Sequence, residues 1–483
     1  MASDAQHDAV PTLHTIEELA ALLAAGTVSA LGLLEHYLDR IVRFDPALGA
    51  ILALDETGAR AAAQAADDRR ARGLVLGRLD GIPVLVKDNI EAIGLPGTAG
   101  SRALLGSPPV RDAGLVTRLR AAGAVIFGST NLSEWANFRT TSGTSGWSGV
   151  RGQANNPYDV GRNPSGSSSG SAVAVAAALS PVAIGTETDG SIVSPAGLCG
   201  VVGFKPSRGT VPGDGIVPIS SAQDIAGPIT RSVADARTLY EVLSDRPIYV
   251  TSRIDRAPVE LDGLRVAVWT PDELADEPAV RAVLDQVADL LRAQGSRTFA
   301  RSVAQTGPFE AAEFDALLCE FATQLPAYLR SRPGRHPRTW PELLAFDRAD
   351  PVELSLFGDE NFALAAVSAG AGSPEHLRLR AEADEQAARA MAGLLDGCDV
   401  AVTVMNRPAW HTAYGHGEDW HLPTSSPAAV SGCPSLSLPA GLIDGLPVGV
   451  LLMARVGEDA RLLSIGQQLE ALLPPRTPPA DFR

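Results

Sequence analysis

The spacing of hydrophobic positions near the N terminus predicts a series of helices. Apolar residues recur at helical intervals after Thr15, and Glu18 stands three positions beyond it, which is the capping-box pattern that begins a helix. Gly26 is expected to end this first helix, and Ser29 can cap a second one. Residues 57–73, rich in Ala and Arg, predict a third helix.

The hydrophobic pattern then changes to short apolar runs between turn residues. Residues 82–86 predict a buried strand that delivers Lys87 at its end, a helix is expected at about 112–122, and residues 124–127 predict the next strand. This alternation of strand, helix and strand predicts parallel strands in an α/β sheet. Because sites in such sheets form beyond the carboxyl ends of the strands, Lys87 and the loop from Gly128 are expected there.

Two later segments continue the pattern. Residues 171–179 predict a helix whose small side chains allow close packing, and residues 181–185 predict a strand that leads into the turn before Ser191. Residues 433–453 predict two strands joined through the dipeptide Asp444-Gly445, a strong hairpin pattern.

The middle of the chain is less regular in its pattern. "LRVAVW" predicts one strand within residues 250–400. Residues 325–362 are richer in Pro, Arg and aromatic residues, and we interpret them as an irregular, lid-like part.

Composition and charge exclude several classes of protein. Lys and Arg number 40 and Asp and Glu 56, so the net charge is −16, which argues against a broad nucleic-acid surface. No apolar stretch is long enough to cross a membrane. The first residues show no positively charged region followed by an apolar run, so we expect no secretory signal. Four cysteines without metal-like spacing indicate reduced, buried thiols and a cytoplasmic protein: Cys199, Cys319, Cys398 and Cys433.

The turn before Ser191 is the first candidate for chemistry. Gly190 allows the backbone to approach closely and to adopt unusual dihedral angles. The N–H groups of Thr188, Asp189, Gly190 and Ser191 can then point to one spot and form an oxyanion hole. A plain turn from a strand to a loop is the alternative interpretation.

A nucleophilic serine needs a base, and the sequence leaves two kinds of residue open for that role, a histidine or a lysine. No histidine lies near Ser191 in sequence and no GxSxG elbow is present, although the fold can still bring a histidine to it. A lysine that is neutral near pH 7 is the other solution, and Lys87 is the natural candidate. Lys87 with its ammonium in solvent is the alternative. A cluster of serines can cap a helix or pass a proton between Lys87 and Ser191: Ser165, Ser167, Ser168, Ser169 and Ser171.

Several long motifs occur in an order that resembles the amidase signature family of serine hydrolases. They are "GIPVLVKDN", "GSTNLSEWANF", "NPSGSSSGSAVAVAAALSPVAIGTETDGSIVSPAGLCGVVGFKPSRGTV", "QDIAGPITRSVADA" and "PSLSLPAGLIDGLPVGVLLMA". The resemblance implies the amidase signature fold, with a mixed, largely parallel central sheet covered by helices on both faces. It divides the chain into a helical region at 1–75 and an amidase signature domain at 76–483, with core motifs at 80–240 and a variable, lid-like region at about 300–425.

The resemblance also implies a triad of Ser191 as nucleophile, Ser167 as bridging serine after a cis peptide bond, and Lys87 as base. Ser168 is the rival for the bridging role. The backbone of Thr188, Asp189 and Gly190 would supply the oxyanion donors, and no metal or organic cofactor is implied.

The chain departs from the commonest family pattern at Ser165, Ser169 and Asp189, where glycine is usual. "GTETDGSIVSPA", "NLSEWANFR" and "LFGDENF" most resemble the bacterial peptide amidase branch, which removes C-terminal amides from peptides. Asp189 can accept a hydrogen bond from a substrate N–H group, and this remains a hypothesis.

Substrate contacts are expected in the parts that match the family least. Trp147 lies in a loop at 140–149 that we expect to be mobile, and Trp410 lies in an aromatic and histidine-rich segment at 405–421. We expect the second segment to form a pocket wall rather than a metal site, because its glycines and prolines break the helix that would align the histidines. The expected supporting or substrate-binding residues are Ser168, Asn137, Trp147 and Trp410. Further aromatic residues can line a lid or pack in the core: Trp340, Phe346 and Phe357.

The sequence therefore predicts an amidase that hydrolyses C–N bonds through an acyl-enzyme, acting on peptide C-terminal amides or aryl amides. A urethanase or carbamate hydrolase with esterase side activity is the alternative. Further alternatives are an inactive binding protein, disfavoured by the intact serine and lysine set, and a transfer-RNA amidotransferase subunit, disfavoured by the charge of −16. The expected partner is a small-molecule or peptide substrate, without nucleic acid or membrane, and the expected state is a monomer or homodimer.

Overall fold

The computed structural model of the protein describes residues 13–244, 259–302, 307–416, 422 and 424–482. Trp420 and His421, at the end of the 405–421 segment, lie outside these ranges.

Helices surround one large sheet in the described residues. The helices are α1 (Ile16–Ala24), α2 (Ala30–Leu48), α3 (Glu56–Ala71), α4 (Gly114–Ala121), α5 (Ser169–Ala176), α6 (Val193–Leu198), α7 (Val233–Leu243), α8 (Pro278–Ala293), α9 (Gly307–Ser331), α10 (Trp340–Ala349), α11 (Glu360–Val367), α12 (Pro374–Leu394), α13 (Ser426–Ser431) and α14 (Asp459–Glu470). The strands are β1 (Ile51–Leu54), β2 (Pro83–Lys87), β3 (Val125–Thr130), β4 (Trp147–Ser148), β5 (Gly152–Gln153), β6 (Val182–Glu187), β7 (Val202–Lys205), β8 (Ile225–Thr230), β9 (Arg265–Trp269), β10 (Arg297–Arg301), β11 (Val400–Val404), β12 (Ser435–Ile443) and β13 (Leu446–Met453).

The expected helices near the N terminus are confirmed. Thr15 and Glu18 form the reciprocal capping box at the start of α1, and Ser29 caps α2 by accepting a hydrogen bond from the backbone of Gly32. Gly26 follows α1 with a φ of +68°, a conformation that favours glycine. The same region also supplies β1, which pairs with β3 at the edge of the sheet. The division at residue 75 stays a prediction.

The central sheet has 11 strands in the order β1-β3-β2-β6-β8-β7-β12-β13-β11-β9-β10. Four neighbouring pairs are parallel: β3–β2, β2–β6, β11–β9 and β9–β10. The other neighbouring pairs are antiparallel, so the expected mixed sheet is confirmed with a smaller parallel share than expected. The predicted hairpin is confirmed as β12 and β13.

Both faces of this sheet are covered by helices, as expected. Val266 and Ala267 are neighbours in β9, yet they belong to two different hydrophobic clusters. Val266 shares its cluster with Leu284 of α8, and Ala267 shares the other with Met391 of α12. Because successive strand residues point to opposite faces, α8 and α12 lie on opposite sides of the sheet.

The expectation of an irregular stretch at 325–362 is wrong, because the stretch includes the end of α9, all of α10 and the start of α11. Its proline content is compatible with helix, since Pro341 stands in the first turn of α10, where no intrahelical N–H is needed. Thr339 and Glu342 complete a capping box there. That these helices act as a lid stays a prediction.

The aromatic residues of this region pack mainly in a core. The ring centre of Trp340 lies 5.3 Å from that of Phe321 and 5.4 Å from that of Phe362. Phe346 is partly buried against the same cluster. Phe357 packs elsewhere, as described below.

The parallel strands β3, β2 and β6 place three chain segments at one edge of the sheet. Their last residues, Thr130, Lys87 and Glu187, lie at the carboxyl ends of adjacent strands. The expected position of Lys87 is therefore confirmed. The four cysteines are unpaired and buried, also as expected. No helix in the described ranges is long and apolar enough to span a membrane.

Candidate active site

Lys87 is enclosed at the end of β2, where its exposed fraction is 0 %. Its Nζ donates hydrogen bonds to Ser167 Oγ at 2.7 Å and to Thr186 Oγ1 at 2.9 Å, and it lies 3.2 Å from the Thr186 carbonyl oxygen. Burial lowers the pKa of Lys87 to about 7, against the opposing negative charges of Asp224 and Glu187. A large fraction of such a lysine is neutral near pH 7, so its nitrogen can accept a proton.

The two serines expected near Lys87 have different partners. Ser167 follows a cis peptide bond from Gly166 and is the serine that accepts the Lys87 hydrogen bond. Ser168 Oγ donates to the carbonyl oxygen of Thr186 at 3.0 Å and accepts from its N–H at 3.2 Å. The geometry therefore brings Ser167 to Lys87 and engages Ser168 with the backbone of β6.

Ser191 lies beside this loop, and its carbonyl oxygen accepts a hydrogen bond of 3.1 Å from Ser168 N. Its side chain makes no hydrogen bond with any described residue, and 8 % of the residue is exposed. Gly190 has a φ of +75°, which permits the sharp turn before it. Within the described part of the chain, the N–H groups of Asp189, Gly190 and Ser191 have no acceptor. The turn therefore carries free backbone donors next to a serine hydroxyl.

The N–H groups that follow Ser191 are not free, because they donate to the carboxylate of Glu187. Its Oε2 accepts hydrogen bonds from Ile192 N at 2.7 Å and from Val193 N at 3.0 Å. Burial raises the pKa of Glu187, while the positive charge of Lys205 opposes this effect. Glu187 thus connects the end of β6 to the start of α6 and holds the intervening turn at both ends.

The side chains of the turn are engaged with other segments. Thr188 Oγ1 donates to Asp224 Oδ1 at 2.6 Å, and Ser425 Oγ donates to Asp189 Oδ1 at 2.6 Å. Burial raises the pKa of Asp224 to about 6 and also raises that of Asp189. The turn can therefore offer backbone N–H groups while its side chains hold it in place.

Trp410 lines a cleft of about 260 Å³ next to α6. Ser194, three residues after Ser191, lies in the wall of this cleft together with Met405 and Leu422. The charged residues Arg162, Glu277 and Arg407 also line the cleft, so its wall offers contacts to both apolar and polar ligand groups. The described part of the 405–421 segment therefore contributes to a pocket wall.

Asn137 and Trp147 border a second small cleft rather than the cleft at Trp410. Trp147 is buried, its ring centre is 4.9 Å from that of Phe357, and the Arg139 guanidinium lies 5.4 Å from it. The indole of Trp147 thus packs against both an aromatic and a cationic neighbour, and that the 140–149 loop is mobile stays a prediction. Contact of Asn137 or Trp147 with substrate stays a prediction.

Comparison with known proteins identifies the family. A family model described as amidase matches residues 32–463. The chain belongs to the amidase family. It is similar to a curated probable amidase of Arabidopsis thaliana, with 35% identity over 96% of this chain and 91% of that protein. A glutamyl-tRNA(Gln) amidotransferase subunit of Acidothermus cellulolyticus is also 35% identical, over 96% of this chain and 95% of that protein.

Among solved amidase-family structures, the native peptide amidase of Stenotrophomonas maltophilia is 39% identical to this chain. The match covers 96% of this chain and 98% of that one, with a TM-score of 0.88. A complex of the peptide amidase PAM with the competitive inhibitor chymostatin is 40% identical, with the same coverage and a TM-score of 0.91. The fold is therefore the amidase signature fold.

The amidase site also contains residues that the sequence did not single out. Thr186 joins Lys87 to Ser168, and its hydroxyl accepts a further hydrogen bond of 3.0 Å from Asn89 Nδ2. Thr186 and Glu187 are two polar residues at the end of an apolar strand, a pattern that could have drawn attention to Thr186. Asp224 lies in the motif "QDIAGPITRSVADA", which carried the family resemblance without a role for this carboxylate.

The structure also bears on the choice of base in this amidase. In the described residues, no histidine side chain hydrogen-bonds to Ser191 or Ser167. The described histidines with side-chain hydrogen bonds include His336, whose partner is the Leu329 carbonyl, and His376, whose partner is Glu320. Lysine is therefore the titratable group that the fold brings to the serines.

Proposed function

We propose that this amidase hydrolyses the C-terminal amide of peptides, with Ser191 as nucleophile, Ser167 as proton bridge and Lys87 as base. The observation that carries the proposal is the 2.7 Å hydrogen bond between Ser167 and a fully buried Lys87 whose pKa is about 7. Such a lysine meets the requirement for a base that activates serine at neutral pH.

In the proposed reaction, Ser191 Oγ attacks the amide carbonyl carbon while its proton passes to Ser167 Oγ. The Ser167 proton passes in turn to Lys87 Nζ. The N–H groups of Asp189, Gly190 and Ser191 stabilise the resulting oxyanion, and one such donor is typically worth about 3–4 kcal/mol. The protons return along the same path to the leaving nitrogen, ammonia departs, and water hydrolyses the acyl-enzyme.

One hydrogen bond of this path is not formed in the structure, since no bond joins Ser167 to Ser191. Catalytic hydrogen bonds are often long without substrate and shorten in the complex. The Ser168 N to Ser191 O hydrogen bond of 3.1 Å keeps the two chain segments adjacent. We therefore propose that substrate binding closes this last contact.

Two features support a peptide amide as substrate. The solved structures at 39–40% identity are of peptide amidase. The cleft at Trp410 combines apolar surface from Trp410 and Met405 with polar and charged residues, which suits a peptide that has both an apolar side chain and polar backbone groups. We propose a cytoplasmic enzyme that acts as a monomer or homodimer and needs no metal or organic cofactor.

The second candidate is an amidotransferase subunit, because sequence relatives at 35% identity carry that name. A subunit that meets transfer RNA is expected to offer a basic surface, whereas this chain has a net charge of −16. Binding to transfer RNA in a gel-shift assay at physiological salt separates the two candidates, and we expect none.

The experiment that tests the proposal is hydrolysis by the purified protein of four substrates: a peptide C-terminal amide, a short anilide, an aryl dicarbamate and an aryl ester. We expect release of ammonia from the peptide amide to be fastest. Activity should be lost in Ser191→Ala and stay normal in the control Ser355→Ala. Ser355 is an exposed serine between α10 and α11. Faster release of arylamine or alcohol would place the protein as an acylamidase or a urethanase instead. Activity that survives in Ser191→Ala would overturn the assignment of the nucleophile.

A further inference from the structure

The carbonyl of Thr188 is held by a side chain from a distant loop. Gln223 Nε2 donates to the Thr188 carbonyl oxygen at 3.3 Å, and Gln223 is 2 % exposed. The next residue, Asp224, accepts the hydrogen bond of the Thr188 hydroxyl at 2.6 Å. Both the backbone and the side chain of Thr188 are thus attached to one loop, immediately before the free N–H of Asp189.

Gln223 is in turn held by two helices that lie outside the core motifs. Its Nε2 also donates to Glu313 Oε1 of α9 at 2.7 Å, and Arg380 Nη1 of α12 donates to its Oε1 at 2.5 Å. Two acceptors face the amide nitrogen and a donor faces the amide oxygen, so only one orientation of the amide satisfies all three. The side-chain amide of Gln223 is therefore held in one orientation.

A second connection supports the same loop. Ser220 N donates to Asp224 Oδ2 at 2.9 Å, and Ser220 Oγ donates to Glu320 of α9. His376 of α12 bonds to Glu320 through Nε2 at 2.9 Å, while its Nδ1 accepts from Gly372 N at 3.0 Å. The Nδ1 contact leaves the proton on Nε2, so the imidazole donates to the carboxylate.

The contacts on each helix share one face. Glu313 and Glu320 are seven residues apart in α9, and His376 and Arg380 are four residues apart in α12. Both spacings bring side chains to the same side of a helix. One face of each helix thus points its buried polar groups at the loop that carries Gln223.

The geometry of the peptide group links the contact of Gln223 with the Thr188 carbonyl to the direction of the Asp189 N–H. In a trans peptide unit the carbonyl of one residue and the N–H of the next point in opposite directions. Because Gln223 holds the Thr188 carbonyl, it also sets the direction of the Asp189 N–H. We propose that Gln223 is a positioning residue that aims the Asp189 N–H at the oxyanion, and that α9 and α12 act on the rate through it.

This inference rests on the proposed function, because it needs Ser191 to form a tetrahedral intermediate. The test substitution is Gln223→Met, which keeps the length of the side chain and removes its donors. The matched control is Gln324→Met in α9, because Gln324 joins the same loop through Ser221 without touching Thr188.

We expect Gln223→Met to lower kcat roughly tenfold with KM within twofold, since only the transition state uses the aimed donor. A peptide aldehyde, which forms a tetrahedral adduct with a nucleophilic serine, should bind more weakly by a similar factor. The product peptide acid should bind as before. Gln324→Met should leave all three quantities within twofold.

A kcat for Gln223→Met within twofold of the wild-type value would overturn the inference, as would an equal loss in Gln324→Met. If Gln223→Met does not fold by circular dichroism, Glu313→Leu replaces it, with Gln223 intact but released on one side. We expect a smaller loss of kcat at constant KM from that variant, and an unchanged kcat would contradict the inference. Failure of the proposed function itself is recognised separately, because wild-type protein would then form no adduct at Ser191.

Discussion

Lys87 Nζ lies 2.7 Å from Ser167 Oγ, and both groups are enclosed, with exposed fractions of 0 % and 1 %. Removing an ammonium from water disfavours its charged form, and this desolvation brings the pKa of Lys87 to about 7. The pair therefore joins a hydroxyl to a nitrogen that can take up a proton at neutral pH.

The first prediction concerns pH. In the proposed mechanism Lys87 is a base only when it is neutral, and its neutral fraction rises as the pH increases through about 7. We expect kcat/KM for a peptide amide to rise over this interval and then level off, measured from pH 5 to pH 9 in buffers of constant ionic strength. A rate that is flat from pH 5 to pH 9 would show that the base is a group with a much lower pKa.

The second prediction concerns Thr186, whose hydroxyl accepts the Lys87 hydrogen bond of 2.9 Å. Thr186→Val keeps the shape of the side chain but removes an acceptor that stabilises the ammonium, so the pKa of Lys87 should fall further. We expect the rise in kcat/KM to move to lower pH, and kcat to fall roughly tenfold as Lys87 loses one of its positioning contacts. The comparison variant is Thr186→Ser, which retains the hydroxyl and should keep the wild-type profile. Identical profiles for Val and Ser would contradict a role for this hydroxyl.

The third prediction concerns the stability of the turn. Glu187 accepts hydrogen bonds from Ile192 N and Val193 N, and Glu187→Leu leaves both donors buried without an acceptor. We expect a destabilisation of about 2–4 kcal/mol, seen as a lower urea midpoint of unfolding. Glu187→Gln, which retains an acceptor oxygen, should lose less. Equal midpoints for the Leu variant and the wild type would mean that the two N–H groups find other acceptors.

The fourth prediction concerns substrate choice at the cleft of Trp410. Trp410→Ala removes an apolar wall, so KM should rise several-fold for peptide amides with large apolar side chains and change little for a glycine analogue. Tyr414 offers a matched control, because it is an exposed aromatic residue of the same segment outside the cleft. A uniform rise in KM over all substrates would argue that Trp410 acts through the general stability of the site.

The residues proposed to react could be predicted from the sequence because each lies in a local pattern. Lys87 ends an apolar strand, Ser191 follows a glycine turn, and both lie within motifs that resemble a known family. Gln223 could not be found in this way. Its partners Glu313 and Arg380 are 90 and 157 residues away, and only the packing of α9 and α12 brings them together.

The fold was predictable to a similar extent. The parallel strands β2, β3 and β6 appear as short apolar runs between turn residues, which is a strong local pattern. β8 was not predicted, because Gly227 and Pro228 interrupt its apolar residues. It nevertheless pairs with both β6 and β7, with Pro228 opposite Ile184. β8 accounts for two of the antiparallel pairs that the sequence did not indicate.

The measurement that tests the central claim most directly is the location of a covalent adduct. The protein is treated with a fluorophosphonate that reacts with activated serines, digested, and examined by tandem mass spectrometry. We predict a single major adduct on Ser191 in the wild type, none in Ser191→Ala, and much slower labelling in Lys87→Met. Labelling at another residue, or labelling of Ser191 at an unchanged rate in Lys87→Met, would contradict the account.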